Sequence, residues 1–130
     1  MADLIEYIDG KNGVRFSLDR DVISLGRDKQ CDIVIDDELI SKSHAIIERS
    51  KISHDSQLHR FTICDMNSTN GTHINGERVE RASLWNGDLI QLGMRFFRFN
   101  DSNMTEHDFS KTTELRKSWI PGLYYTKKKD

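Results

Sequence analysis

The chain has 130 residues, of which 36% are hydrophobic and 31% charged, and its formal net charge is −2. This length fits one small domain with an extension, and no apolar run approaches the roughly 20 residues of a membrane-spanning helix. The near-neutral charge argues against a nucleic-acid partner, which normally requires a dense basic face. The N-terminal segment lacks the basic and apolar regions of a secretory signal, so we expect a cytoplasmic protein without a membrane partner.

Residues before position 100 have the pattern of short strands. In segments such as Arg60–Ile63, apolar residues recur at every second position, which is the period of a strand with one buried face. Many short strands without intervening helices predict an all-β antiparallel sandwich or barrel. The predicted strands are Leu4–Tyr7, Val14–Leu18, Val22–Gly26, Ile33–Ile35, Ala45–Arg49, Arg60–Asp65, His73–Ile74, Asp88–Leu92 and Arg95–Phe99.

Four Asn-Gly pairs punctuate this region and predict tight turns, because each pair can supply the positive φ that such turns demand. They are Asn12-Gly13, Asn70-Gly71, Asn75-Gly76 and Asn86-Gly87.

The composition changes near residue 100. The segment 101–130 holds the only proline, Pro121, and ends in the basic run Lys127–Lys129. We therefore predict a domain over residues 1–100 and a tail or linker over 101–130, in which Met104–Ser118 is a candidate short helix.

Neither the two cysteines nor the five histidines stand at metal-ligand spacings. Paired motifs such as H-x-x-x-H are absent, so we predict no metal site. Cys31 and Cys64 are expected to be reduced thiols.

Three polar patterns stand beside predicted strands: Gly26-Arg27-Asp28, Ser41-Lys42-Ser43-His44 and Asn67-Ser68-Thr69-Asn70-Gly71-Thr72. Spacing alone would indicate only anion-binding loops on a β-scaffold. In order and spacing they resemble the forkhead-associated (FHA) domain, whose hallmark is Gly-Arg, then Ser-x-x-His, then Asn-Gly. The resemblance covers about residues 3–99. It implies an FHA-type β-sandwich of two antiparallel sheets with about eleven strands and the binding loops at one end.

The resemblance also implies a ligand, a threonine-phosphorylated segment of a partner protein, and no cofactor. Arg27 and Ser41 would hold the phosphate, Lys42 and Thr69 would assist, and Asn70 would hold the ligand backbone. A guanidinium fork suits bidentate phosphate contact, and hydroxyls and backbone N–H groups add donors. Lys42 departs from the arginine or asparagine common in the family, which implies a modest change in phosphate grip.

The resemblance also implies residues that support the loops without touching the ligand. Gly26 and Gly71 would permit backbone shapes that a Cβ forbids, and His44 would brace the loops. Leu39, two residues before the loop serine, would select the ligand residue three places after the phosphothreonine and would favour an apolar one.

Each pattern also has a simpler interpretation. Arg27 alone could be a solvated charge, Ser41–His44 a self-stabilising polar turn, and Asn70-Gly71 a hairpin turn. It is the occurrence of all three in order that favours phosphopeptide binding.

Catalysis is not expected. A serine near His44 has no credible third partner, and the G-x-S-x-G elbow is absent. Two alternatives stay open. Ile120–Lys128 faintly resembles the junction at which bacterial FHA domains precede a diguanylate cyclase (GGDEF) domain, which would make this chain the regulatory part of a larger signalling enzyme. Phosphorylation of Thr112 or Thr113 would instead allow the tail to occupy the chain's own binding loops.

Overall fold

The computed structural model of the chain describes residues 2–52 and 58–102, and these residues form an all-β structure. Residues 103–130, including the candidate helix Met104–Ser118 and both tail threonines, lie outside the described residues. The strands are β1 (Ala2–Ile8), β2 (Lys11–Ser17), β3 (Val22–Gly26), β4 (Ile33–Val34), β5 (Ala45–Lys51), β6 (His59–Asp65), β7 (Thr72–Ile74), β8 (Glu77–Val79), β9 (Arg81–Leu84), β10 (Leu89–Leu92) and β11 (Arg95–Asp101).

The strands form two packed sheets. One has six strands in the order β2-β1-β11-β10-β7-β8, and the other has five in the order β4-β3-β5-β6-β9. The predicted β-sandwich of about eleven strands is therefore confirmed. Pairing is antiparallel with one exception, since the short β4 lies parallel to β3, with Leu25 opposite Ile33.

Alternation along the strands builds the core between the sheets. In β6, Phe61 and Ile63 are buried while Thr62 and Cys64 are half-buried on the other face. Phe97 and Phe99 of β11 are fully buried, and Phe99 packs against Phe61 with ring centroids 5.3 Å apart. The two sheets therefore share one apolar layer.

The turn between β1 and β2 differs from the prediction. It is formed by Asp9 and Gly10, which have φ values of 54° and 77°. Asn12-Gly13, predicted as a turn, lies inside β2, where the register with β1 shifts between Ile5 and Tyr7. Asn75-Gly76 does form the tight turn between β7 and β8, with φ values of 51° and 89°.

The strand prediction missed β8 and β9. Both are short, and together they contain Glu77, Arg78 and Arg81 as exposed charged positions. Without several alternating apolar residues, the sequence gives no strand signal there.

Three loops meet at one end of the sandwich. The first loop (residues 27–32) joins β3 to β4, the second loop (35–44) joins β4 to β5, and the third loop (66–71) joins β6 to β7. Across residues 2–52 and 58–102, no helix is long and apolar enough to cross a membrane.

Candidate functional site

Arg27 begins the first loop and is tied to the second. Its backbone N–H donates to the Ser41 carbonyl at 3.0 Å, and its side-chain Nε donates to the Ile40 carbonyl, also at 3.0 Å. These two bonds fix the backbone of Arg27 and the Nε end of its guanidinium group. Among the described residues, its two terminal nitrogens have no hydrogen-bond or acidic partner, so they remain available as a two-pronged donor.

Ser41 links the second and third loops. Its Oγ accepts the Thr69 N–H at 3.0 Å, which leaves the hydroxyl hydrogen to be donated elsewhere. Its own backbone N–H donates to Nδ1 of His44 at 3.1 Å, so this N–H is not available to a ligand. The backbone N–H of Lys42 has no partner in the part of the chain that the structure describes, and it adds a donor beside the Ser41 hydroxyl.

Asn70 connects the third loop back to the second. Its Nδ2 donates to the Leu39 carbonyl at 2.8 Å. Its Oδ1 has no hydrogen-bond partner within the described segments, and the residue is exposed. The amide is thereby oriented by one contact while its acceptor oxygen faces no protein donor. Thr69, the preceding residue, is also exposed.

His44 lies fully buried beneath the three loops. Its Nδ1 accepts from the Ser41 N–H, so the ring hydrogen must be on Nε2, which donates to the Gly71 carbonyl at 2.9 Å. One imidazole therefore joins the second loop to the third. Both of its nitrogens are used, and neither is left to contact a ligand.

Asp65 and Ser68 shape the third loop and were missed by the sequence analysis. Asp65 accepts the Ser68 N–H at 3.0 Å, the Ser68 hydroxyl at 2.5 Å and the Thr72 hydroxyl at 2.7 Å. Burial alone would raise the pKa of Asp65, but these hydrogen bonds outweigh it and lower the pKa. Ser68 Oγ in turn accepts the Gly71 N–H at 3.0 Å. The available signal was an aspartate three residues before a serine after a strand, a common side-chain-to-backbone turn.

Two glycines are required where the loops approach one another. A Cβ at Gly26 would overlap the backbone carbonyl of Lys42 in the second loop. Gly71 has a φ of +86°, and a Cβ there would lie 2.8 Å from Nε of Arg78. The first position needs glycine for space, and the second for its left-handed backbone as well.

Leu39 and Lys42 lie on the solvent side of the second loop. Leu39 is 45% exposed, although its carbonyl is held by Asn70. The turn between β10 and β11 comes up beside it, since a Cβ at Gly93 would lie 2.9 Å from the Leu39 carbonyl oxygen. Lys42 is exposed, so its ammonium group can approach a bound anion.

The structure therefore brings the predicted site residues together: Gly26 ends β3, and the others lie on three connected loops. They present a guanidinium, a hydroxyl and an N–H, which suit an anionic ligand better than a metal ion. Within residues 2–52 and 58–102, no group of three or more histidine, cysteine, aspartate or glutamate side chains is placed to hold a metal.

A β-sandwich with donor-rich loops at one end defines a class of binding domain, and the comparisons identify its family. The family model described as "FHA domain" matches residues 23–93, which is more than half of the chain. The chain belongs to the FHA domain family, as its three motifs predicted.

Several curated proteins are similar in sequence. The glycogen accumulation regulator GarA of Mycobacterium tuberculosis is 38% identical over 81 residues, 62% of this chain and 46% of GarA. An oxoglutarate dehydrogenase inhibitor of Corynebacterium diphtheriae is 37% identical over 81 residues, 62% of this chain and 52% of the inhibitor. The chain thus spans about half the length of these two relatives.

Solved structures show the same fold. The FHA domain of yeast Dun1, in complex with a doubly phosphorylated peptide, is 30% identical with a TM-score of 0.65, covering 82% of this chain and 80% of that one. Mycobacterium tuberculosis EmbR, in complex with a low-affinity phosphopeptide, is 28% identical with a TM-score of 0.65, covering 81% of this chain and 25% of that one. The link to a diguanylate cyclase and the domain boundary at residue 100 stay predictions.

Proposed function

We propose that this chain is a phosphothreonine-dependent protein-binding module, and that the loops around Arg27 hold the phosphate. The observation that carries the proposal is the anchoring of Arg27. Its Nε is fixed by the Ile40 carbonyl, while the rest of its guanidinium has no acidic partner among the described residues. An arginine held in this way is prepared to form a bidentate contact with phosphate.

The neighbouring donors complete a phosphate site. A phosphothreonine carries about −1.5 to −2 charges and three acceptor oxygens at neutral pH. The Ser41 hydroxyl can donate its hydrogen to one of these oxygens while its own oxygen accepts the Thr69 N–H. Lys42 adds its N–H and its charge, and the Thr69 hydroxyl adds a further donor. Asn70 then has its free Oδ1 to accept an N–H of the ligand backbone.

Selectivity for threonine over serine follows from one methyl group. A methyl that fits a small apolar pocket contributes about 1–3 kcal/mol, enough to distinguish the two residues. Leu39 would act as the selector of a more distant ligand residue, and its exposed aliphatic side chain favours an apolar one.

The relatives support a regulatory role. By their names, one is a regulator of glycogen accumulation and another an inhibitor of oxoglutarate dehydrogenase. The similar solved structures of Dun1 and EmbR each contain a phosphopeptide. We therefore infer that this chain acts in signalling by binding partners in the cytoplasm, and not as an enzyme.

The test is a binding screen of the chain against a phosphothreonine peptide library, with phosphoserine and unphosphorylated versions as controls. We expect selective phosphothreonine binding. Arg27→Ala should weaken it at least tenfold, since a charge-assisted contact contributes about 1.5–3 kcal/mol. Arg60→Ala, at an exposed arginine of β6, is the matched control and should bind normally. A folded protein that binds no phosphorylated peptide would refute the proposal.

A further inference from the structure

We propose that Glu6, Arg95 and Asp37 form a positioning network for the phosphopeptide site. Glu6 and Arg95 lie behind the loops and Asp37 lies within the second loop, and none of the three is among the residues proposed to touch the ligand. The network acts through two backbone carbonyls of the second loop. This inference rests on the proposed function for its consequence in binding, and on the contacts below for its existence.

The network begins with a buried ion pair. Glu6 of β1 is only 4% exposed, and its Oε2 lies 2.5 Å from Nε of Arg95 at the start of β11. A buried carboxylate needs such a partner, because an unpaired charge in the interior is strongly destabilising. The same hydrogen bond to Glu6 is the main reason why the pKa of Arg95 is raised. The guanidinium of Arg95 is thus fixed relative to the six-stranded sheet.

Arg95 also contacts the second loop, through Asp37. Its Nη1 lies 3.5 Å from Oδ2 of Asp37. The other carboxylate oxygen of Asp37 accepts the Leu39 N–H at 2.9 Å, and the Asp37 carbonyl accepts the Ile40 N–H at 3.0 Å. Asp37 therefore closes a turn over residues 37–40, which contains Leu39 and Ile40.

The carbonyls of that turn orient two side chains of the site. The Leu39 carbonyl accepts from Nδ2 of Asn70 at 2.8 Å, and the Ile40 carbonyl accepts from Nε of Arg27 at 3.0 Å. Arg27 is in the first loop and Asn70 in the third, so consecutive carbonyls of the second loop set the geometry of both. A shift of this turn would therefore displace both Arg27, which is predicted to hold the phosphate, and Asn70, which is predicted to hold the ligand backbone.

Binding sites of this kind depend on how firmly their side chains are held before the ligand arrives. If the network only stabilised the fold, removing it would lower stability without changing the affinity of the protein that remains folded. If it positions Arg27 and Asn70, affinity must fall beyond any effect on folding.

Variants of Asp37 separate these cases. Asp37→Ala removes one of the two carboxylates that pair with Arg95, together with the side-chain acceptor of the Leu39 N–H. We expect about tenfold weaker binding to the phosphothreonine peptide selected by the wild type. Asp37→Asn keeps an acceptor oxygen for the Leu39 N–H and should lose less. The matched control is Asp32→Ala. Asp32 likewise accepts a backbone N–H, from Ser24, and pairs with an arginine, Arg20, but it makes no hydrogen bond to the turn over residues 37–40.

A double-mutant cycle tests whether Asp37 acts through Asn70. In an Asn70→Ala background, we expect Asp37→Ala to cost markedly less than tenfold, because one of the two oriented side chains is already gone. Equal losses in both backgrounds, or the same loss in Asp37→Ala and Asp32→Ala, would overturn the proposal.

A measurement without ligand keeps the network testable by itself. In NMR spectra, the Arg27 Nε–H and the Asn70 side-chain amide should shift in Asp37→Ala and stay unchanged in Asp32→Ala. If the wild type bound no phosphopeptide, the proposed function would fail, while these shifts would still support the network. Unchanged Arg27 and Asn70 resonances in Asp37→Ala would overturn the network whatever the wild type binds.

Discussion

The buried imidazole of His44 donates from Nε2 to the carbonyl oxygen of Gly71, 2.9 Å away and 27 residues further along the chain. Its other nitrogen accepts from the Ser41 N–H. The two loops that carry Ser41 and Asn70 are therefore joined by one side chain with no exposed surface, so the geometry of the site and the stability of the fold depend on the same ring.

Replacing His44 by alanine should lower both the stability of the fold and the affinity for the phosphopeptide. The change leaves the Ser41 N–H and the Gly71 carbonyl without partners and opens a cavity at a fully buried position. An unsatisfied buried group costs about 1–3 kcal/mol, so we expect the free energy of unfolding to fall by about 2–4 kcal/mol. Urea denaturation would measure this fall, and peptide titration under folding conditions would show weaker binding.

The control for this variant is His59→Ala, at a half-buried histidine of β6 whose ring packs on Phe61. It should lose less stability and keep its phosphopeptide affinity. Equal effects of the two variants would show that His44 has no special part in the loops.

Gly26→Ala should be damaging for lack of space. The added methyl would overlap the Lys42 carbonyl, which is backbone and cannot rotate away, and would crowd Sγ of Cys31. Overpacking of this kind typically costs about 1–3 kcal/mol. Because the second loop must shift to relieve the overlap, we expect weaker phosphopeptide binding together with a lower midpoint of urea denaturation.

Gly10→Ala separates space from backbone strain. Gly10 has a φ of +77° but nothing within 4 Å of a Cβ, so alanine there should cost about 1–2 kcal/mol of left-handed strain. It should not alter binding, because Gly10 lies in the turn between β1 and β2. A Gly26→Ala protein that binds as well as Gly10→Ala would contradict the predicted crowding.

The three loops could be located from the sequence because the motifs that mark them are residue types at fixed local spacing. Gly26-Arg27, the Ser41–His44 segment and Asn70-Gly71 each sit directly at the end or start of a strand, and the alternation in strands such as β6 (His59–Asp65) is visible without structure. These local signals define the family and its sandwich.

Contacts between distant residues could not be predicted in the same way. Glu6 and Arg95 are 89 positions apart, and only the pairing of β1 with β11 brings them together. The Asp9-Gly10 turn was missed because only Asn-Gly pairs served as turn signals, although Asp-Gly is an equally strong one. Asn12-Gly13 does not form a turn, because it takes part in the pairing of β2 with β1.

Leu39→Arg should change the ligand preference of the module. Leu39 is exposed on the second loop, and its side chain is the predicted selector of the residue three places after the phosphothreonine. A guanidinium there should favour an aspartate or glutamate over an apolar ligand residue. A peptide library randomised at that place would measure the change.

Val34→Arg is the control for the added charge, since Val34 is a similarly exposed aliphatic residue of the neighbouring β4. It should leave the preference unchanged. If both variants favoured acidic peptides equally, the effect would be general attraction and Leu39 would not be a selector.

His73 should make stability depend on pH. Burial, and then the nearby charge of Arg78, lower its pKa below the usual 6.5, against the opposing effect of Asp65. The folded protein therefore favours the neutral ring, while the unfolded chain takes up a proton near pH 6.5. This contribution to stability is fully present above pH 6.5 and is lost as the pH falls through the lowered folded pKa.

Urea denaturation at pH 7.5 and 5.5 measures the effect. The free energy of unfolding should fall less between these two pH values in His73→Gln than in the wild type or in His59→Gln. An identical loss in all three proteins would mean that His73 does not titrate in this range.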